Sequence, residues 1–121
     1  MSTDNTFLAV FTGSGDSPRM KAWNALTESE RGARQQEGMA AWQAWMAKHH
    51  ASVVAGGGPL GKTKAVNPRG IADTSNALSA FVMVRAASHE AAAKMFENHP
   101  HFAIFPGEGV EVMPIVPIPG S

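Results

Sequence analysis

The sequence predicts an α+β protein with a ferredoxin-like βαββαβ order, in which two helices cover one face of a four-stranded sheet. Three observations indicate this class. Short apolar segments occur near both ends and in the middle of the chain, apolar residues recur at helical spacing in the first half, and an alanine-rich segment precedes the last apolar run. At 121 residues the chain has the size of one domain, so residues 1–121 are assigned to a single domain with one core.

The first strand is predicted at residues 7–11, and turn-forming residues follow it. After a short helical segment at 20–26, Thr27 and Glu30 form a capping box that begins a helix at Glu28. Residues of this helix and the chain just beyond it recur at spacings of three and four and form one apolar stripe: Met39, Trp42, Met46, His49 and Val53, with Trp45 at its edge.

The glycine run Gly56-Gly57-Gly58-Pro59 is predicted to end this first helical element, so the second strand is placed within 60–66. A turn at 67–70 follows it. The polar segment up to Asn76 lacks periodicity and is expected to be a long loop or an irregular hairpin.

The second half of the chain is predicted to contain the last three elements of the βαββαβ order, which are a strand, a helix and a strand. Alternating apolar residues at 79–85 indicate a strand, and Ser88 caps a second helix through Asn98. The last strand is expected at 109–115, because the prolines beyond it cannot continue a ladder of hydrogen bonds. The remaining residues, about 116–121, are expected to form an extended proline-rich tail, and about 1–5 a disordered N-terminus.

The predicted strands are apolar on both faces. Phe7, Ala9 and Phe11 alternate with Leu8 and Val10 along the first strand. Two helices cover only one face, which leaves the other exposed in a monomer, and an exposed apolar face of that size marks an interface. We therefore expect a homodimer in which two sheets pack face to face through residues such as Leu8, Val10, Val82 and Val84, or through their alternates.

Composition narrows the class of partner. Ten basic and ten acidic residues cancel, so neither nucleic acid nor a membrane surface is an expected partner. The chain has no cysteine, which excludes disulfides and zinc–thiolate sites and favours a cytoplasmic location. The apolar run at 7–11 is too short for a signal peptide or a membrane span, so an unprocessed, soluble protein without cofactor is expected.

With this order of elements, the chain resembles the YCII-related family, which includes the DGPF-type proteins and has a dimeric α+β barrel fold. The resemblance covers most of the chain. It rests on the strand at 7–11, the glycine segment at 55–60, the strand at 81–84, and above all the ending His99-Pro100-His101-Phe102 with residues 110–115.

The resemblance implies a small-molecule pocket between the sheet and the long helix, near the dimer interface. Some members carry a His–Asp pair proposed as an active site and are associated with lyase-like chemistry on small unsaturated acids. In this sequence residues 38–42 hold no histidine where the helix histidine is expected, and 70–74 stand in place of the DGPF tetrapeptide. Asp73 corresponds to the aspartate, but the dyad itself is not carried over.

The histidines near the C-terminus are the best acid–base candidates in the chain. His99 and His101 are two residues apart, so an extended backbone would place both side chains on one side. Such a pair would bind a metal ion if Glu108 or Asp73 came near, whereas a histidine at a helix end often serves only as a cap. We select His99, His101 and Asp73 as catalytic candidates and assign no metal site.

Candidates for substrate binding come from the long helix and the following loops. Trp42 and Trp45 are either walls of an apolar pocket or plain core. Lys62, Lys64 and Arg69 would hold an anionic ligand or are solvated surface charges, and Glu108 lies beside a glycine turn.

Residues 56–63, Gly-Gly-Gly-Pro-Leu-Gly-Lys-Thr, match the phosphate-loop pattern. A phosphate loop needs a helix that begins near its lysine, yet Pro68 follows too soon for a helix of useful length. Nucleotide binding is therefore a minor alternative, and a strand-turn-strand segment is expected here.

Two functions remain open on sequence grounds. The first is a YCII-related protein that binds a small anionic or aromatic metabolite between helix and sheet, with any lyase-type or isomerase-type catalysis limited to proton transfer. The second is a homodimer that binds a ligand, or has only a structural role, without catalysis.

Overall fold

A computed structural model describes residues 5–119 of the chain. Its elements follow the predicted order, with a hairpin inserted in the middle. They are β1 (Asn5–Thr12), α1 (Pro18–Ala25), α2 (Glu28–Lys48), a 3₁₀ turn (His50–Ser52), β2 (Val53–Pro59), β3 (Thr63–Asn67), β4 (Gly70–Thr74), β5 (Leu78–Ala86), α3 (His89–Lys94), α4 (Pro100–Ala103) and β6 (Gly109–Pro114).

The main sheet has four antiparallel strands in the order β2-β5-β1-β6. The first strand in the chain is therefore central and pairs with both β5 and β6. This is the strand order of a ferredoxin-like sheet, which confirms the α+β class. The strands β3 and β4 pair only with each other and form a separate hairpin over residues 63–74.

The helix α2 begins as predicted. The hydroxyl of Thr27 accepts a hydrogen bond from the backbone N–H of Glu30 at 3.1 Å, and the Glu30 carboxylate accepts one from the N–H of Thr27 at 2.9 Å. These two bonds satisfy donors that a helix start otherwise leaves unpaired. The capping box is thus confirmed.

The position predicted for the second strand was wrong. The helix α2 ends at Lys48, and β2 runs through the glycine run that was predicted to terminate the helix. Gly57 makes this possible, since its φ is +61° and a Cβ there would lie 2.0 Å from the carbonyl oxygen of Phe81 on β5. Glycine here permits an irregular pairing between two strands rather than ending an element.

The core lies between the sheet and the helices. Phe7, Ala9 and Phe11 are buried there, as the alternation predicts. Val82 and Val84, or their alternates, were predicted for the opposite face, but the two valines pair with Ala9 and Phe7 and share their face. The opposite face instead carries their alternates Phe81 and Met83 beside Leu8 and Val10, because a shift of one residue exchanges the faces of a strand.

The second helix is shorter than predicted. It ends at Lys94, and Asn98 has a positive φ of 57° before Pro100 opens the separate helix α4. A left-handed residue followed closely by a proline interrupts a helix.

The predicted disorder of residues 1–5 lies outside the described part of the chain, except for Asn5, which belongs to β1. Residues 115–119 follow β6 without regular structure and are exposed. Within residues 5–119, no helix is both long enough and apolar enough to span a membrane.

The close approach of β2 to β5 gives a test of the fold. Gly57→Ala should destabilise the protein by roughly 2–4 kcal/mol, because the methyl group meets a carbonyl oxygen and the positive φ is strained. Gly56→Ala is the matched control, since a Cβ there meets nothing within 4 Å. Urea unfolding of both variants measures the difference, and equal midpoints would contradict the described pairing.

Candidate functional site

A cavity of about 640 Å³ opens between α2 and the sheet. Its walls are mainly aromatic and aliphatic. The residues that line it are Phe11, Met39, Trp42, Gln43, Trp45, Met46, Gly56, Gly58, Pro59, Ser79, Ala80, Phe81, Val82, His101 and Phe105. A cavity of this size with few polar groups has the properties of a small-molecule site.

His101 is the titratable residue of this lining. Its Nε2 lies 2.8 Å from the carbonyl oxygen of Thr12 at the end of β1. A carbonyl oxygen can only accept a hydrogen bond, so the neutral imidazole carries its proton on Nε2 and donates it to Thr12. The other ring nitrogen, Nδ1, then keeps its lone pair, and no hydrogen bond within residues 5–119 engages it.

Gly107 fixes the position of the His101 ring. A Cβ at Gly107 would lie 2.2 Å from the Nε2 atom of His101, so only glycine lets the loop pack directly on the imidazole. The backbone N–H of Gly107 donates to the carbonyl of His101 at 2.9 Å. From α1, Arg19 donates from Nε to the Gly107 carbonyl at 2.8 Å and from Nη2 to the Phe102 carbonyl. These hydrogen bonds connect the segment between α4 and β6 to α1.

His99 lies behind this site rather than in it. The residue is 1% exposed, and its Nδ1 accepts the backbone N–H of His101 at 3.0 Å, which caps the start of α4. The ring lies at centroid distances of 4.7–5.0 Å from Phe11, Trp42 and Trp45. Its Nε2 has no hydrogen-bond partner in the described structure.

Burial sets the charge of both imidazoles. It lowers the pKa of His99 to about 4, with smaller contributions from the nearby His101 and His49. Burial also lowers the pKa of His101, the bond to Thr12 partly opposes this, and the charge of Arg19 adds to it. Both rings are therefore neutral at neutral pH, and His101 offers a weakly basic nitrogen.

The candidate residues from the sequence fall into three places. Trp42, Trp45 and His101 line the cavity, and His99 packs beside them. Lys64 and Asp73 form an exposed ion pair across the β3–β4 hairpin. The other three lie away from the cavity lining: Lys62 before β3, Arg69 in the hairpin turn, and the exposed Glu108 at the start of β6.

The glycine-rich segment at 56–63 has the predicted strand-turn-strand form. Gly56, Gly57 and Gly58 belong to β2, and Thr63 begins β3. A strand, and not a helix, follows Lys62 directly, so no helix N-terminus lies there whose backbone amides could converge on a phosphate.

The geometry also bears on metal binding. Among residues 5–119, no group of three histidine, aspartate or glutamate side chains is arranged to hold a metal ion. His99 uses Nδ1 as a cap, and Nε2 of His101 is committed to Thr12. Neither Asp73 nor Glu108 joins the two histidines.

Sequence reasoning missed several residues on which the site depends. Phe105 lines the cavity and packs on Gly38, where a Cβ would lie 2.5 Å from its ring. Thr12 contributes only its carbonyl, and Arg19 is exposed on a helix that buries no residue. The Gly107-Glu108-Gly109 turn was recognised in the sequence, but its contact with the His101 ring was not, because that contact depends on the fold.

The chain was compared with protein-family models, curated proteins and solved structures. No protein-family model matches the chain, and no curated protein matches it either. The chain is similar to the solved structure of 5-chloro-2-hydroxyhydroquinone dehydrochlorinase from Burkholderia phenoliruptrix in complex with 2,5-dihydroxybenzoquinone. The TM-score is 0.50 and the identity 18%, with 88% of this chain and 89% of the other covered. The two proteins share an α+β fold.

The buried imidazole of His99 predicts a pH dependence of stability. The unfolded chain takes up a proton near the ordinary pKa of 6.5, whereas the folded ring resists protonation down to about 4. The contribution of neutral His99 to the free energy of unfolding is therefore fully present above pH 6.5. It is lost as the pH falls to 4, and the loss is on the order of 3 kcal/mol.

His99→Asn tests this dependence, because asparagine keeps an acceptor at the cap position but does not titrate. Urea unfolding between pH 7 and 4 should show a smaller loss of stability in the variant than in the wild type. Equal losses would show that His99 is not buried in the neutral form.

Proposed function

We propose that the chain is a YCII-related protein whose cavity binds a small, uncharged, single-ring aromatic metabolite that donates a hydrogen bond to Nδ1 of His101. The observation that carries this proposal is a mainly aromatic and aliphatic cavity whose lining includes a histidine held in one tautomer by the Thr12 carbonyl. The solved dehydrochlorinase, an enzyme of similar fold whose structure holds a quinone ligand, supports small-molecule binding as the function.

The lining favours an aromatic ligand over an anionic one. No lysine or arginine is among the residues that line the 640 Å³ cavity. His101 is neutral there, and a carboxylate buried without a cation would carry a large desolvation cost. Aromatic rings such as Trp42 and Phe11, at a centroid distance of 5.3 Å, instead provide surfaces for stacking.

Any catalysis is a proton transfer to His101. The Nδ1 lone pair would take a proton from an acidic O–H or C–H group of the ligand and form an imidazolium, which the Thr12 carbonyl holds in place. The lowered pKa makes this nitrogen a weak base, so only acidic protons are within its reach. An isomerase-type or lyase-type step on an activated ring is compatible with this base.

The alternative is a binding protein without catalysis. It is favoured by the lack of a carboxylate beside His101 within the described residues, since Asp73 is paired with Lys64 on the hairpin. A general base normally relies on such a group to stabilise its protonated form.

We further propose a cytoplasmic homodimer. The sheet face opposite the helices is apolar, and its residues Leu8, Phe81 and Met83 are only half-buried in the single chain. A second copy packed on this face would cover them.

Ligand preference tests the role of His101. The wild type should bind 4-methylphenol about tenfold more tightly than 4-methylanisole, which lacks the O–H donor. His101→Phe should remove this preference while retaining an aromatic wall, and His50→Phe, on the exposed 3₁₀ turn, should keep it. Calorimetric titration measures all six affinities. A preference that survives in His101→Phe would contradict the proposal.

Light scattering during gel filtration tests the assembly. The wild type should elute at twice the chain mass of 12.8 kDa. Met83→Glu should give a monomer, because two buried carboxylates would face each other across the dimer, whereas Ala93→Glu on the exposed side of α3 should not. A wild-type monomer at micromolar concentration would exclude the face-to-face dimer.

A further inference from the structure

A second cavity, of about 230 Å³, lies between α1, α2 and the segment after α4. We call it the arginine crevice and define it by Arg19, Trp23, Arg34 and Phe105. Phe105 lines both this crevice and the larger cavity, so its ring separates the two. The two cavities differ in chemistry, because the crevice has two guanidinium groups and the larger cavity has none.

The cations of the crevice are available to an anion. Within residues 5–119 the ion pairs are Lys64–Asp73 and Lys94–Glu90, so neither arginine has a carboxylate partner there. Arg19 uses Nε and Nη2 on backbone carbonyls, which leaves Nη1 free to donate to a ligand.

Arg34 makes no hydrogen bond within the described residues, so its guanidinium fork is open for two parallel bonds to a carboxylate. The carboxylate of Glu30, one helical turn earlier, is engaged by the N–H of Thr27 in the capping box. These bonds at the helix start are the main cause of the lowered pKa of Glu30, and the charge of Arg34 adds to it without an ion pair between the two side chains.

Aromatic rings complete the crevice. Trp23 and Phe105 lie at a centroid distance of 5.9 Å with an angle of 47° between their planes. A planar group beside these rings gains contact area, while a guanidinium binds the negative end of the same molecule. The volume of about 230 Å³ limits such a ligand to one ring.

We propose that the arginine crevice is a second binding site, specific for a small aromatic carboxylate whose charge pairs with Arg19 and Arg34 and whose ring packs on Trp23 and Phe105. This site is independent of the function proposed for the larger cavity. The sequence suggested an anionic ligand and selected Lys62, Lys64 and Arg69 to bind it. The proposed site instead binds an anion through Arg19 and Arg34, which were not selected.

Titration with benzoate, followed by ¹H–¹⁵N correlation spectra of the full chain, tests the site. The indole signal of Trp23 should shift and saturate, as should the amide of Gly107, whose carbonyl Arg19 holds. Benzyl alcohol, which has the ring without the charge, should leave the Trp23 signal unmoved at the same concentration. The signals of Trp42 and Trp45 report the larger cavity separately.

Two variants make the test specific. Arg34→Gln removes an exposed side chain and should weaken benzoate binding at least tenfold, whereas Arg69→Gln in the hairpin turn should leave it unchanged. Unchanged affinity in Arg34→Gln, or shifts confined to Trp42 and Trp45, would overturn the crevice site. Failure of 4-methylphenol to bind would contradict the proposed function but not the crevice site, since that ligand tests binding in the larger cavity.

Discussion

The carbonyl oxygen of Thr12 holds the site together. It accepts two hydrogen bonds, each of 2.8 Å, one from Nε2 of His101 and one from the backbone N–H of Glu108. The end of the central strand is thereby joined to α4 and to the start of β6. Because a carbonyl cannot donate, this one atom also decides the tautomer of His101 and leaves its Nδ1 unprotonated. The fold and the chemistry of the cavity thus depend on the same contact.

The aromatic surroundings explain why the two histidines differ in role. His99 is enclosed by Phe11, Trp42 and Trp45. Its one accepting nitrogen caps α4 by accepting the backbone N–H of His101, so its role is to position His101. His101 is held at the cavity wall with a free nitrogen. Burial keeps both neutral, which is compatible with the uncharged ligand proposed for the cavity and with an anion site proposed elsewhere, at the arginine crevice.

Much of the fold could be predicted from local patterns. The capping box located the start of α2, alternation located β1 and β5, and the prolines beyond the last strand located β6. The position of the second strand was missed because a glycine run usually ends a helix or strand. Here the glycines belong to β2 and permit its close approach to β5, a role that is evident only when the partner strand is known. The choice between the two faces of β5 likewise depends on register, which alternation alone does not define.

The site was less predictable, since distant parts of the chain meet there. Trp42, Trp45 and His101 were selected from spacing and residue type, and they line one cavity. Thr12 and Gly107 act through a backbone carbonyl and a missing side chain, neither of which has a pattern in the sequence. Lys64 and Asp73 looked suited to chemistry but neutralise each other across the hairpin.

The most direct measurement is the protonation pattern of the His101 ring, read from long-range ¹H–¹⁵N correlations at pH 7. We expect a neutral ring protonated on Nε2, and an Nδ1 signal that moves when 4-methylphenol is added and stays in place with 4-methylanisole. A ring protonated on Nδ1, or a charged imidazolium, would contradict the assignment of Nδ1 as the acceptor of the cavity.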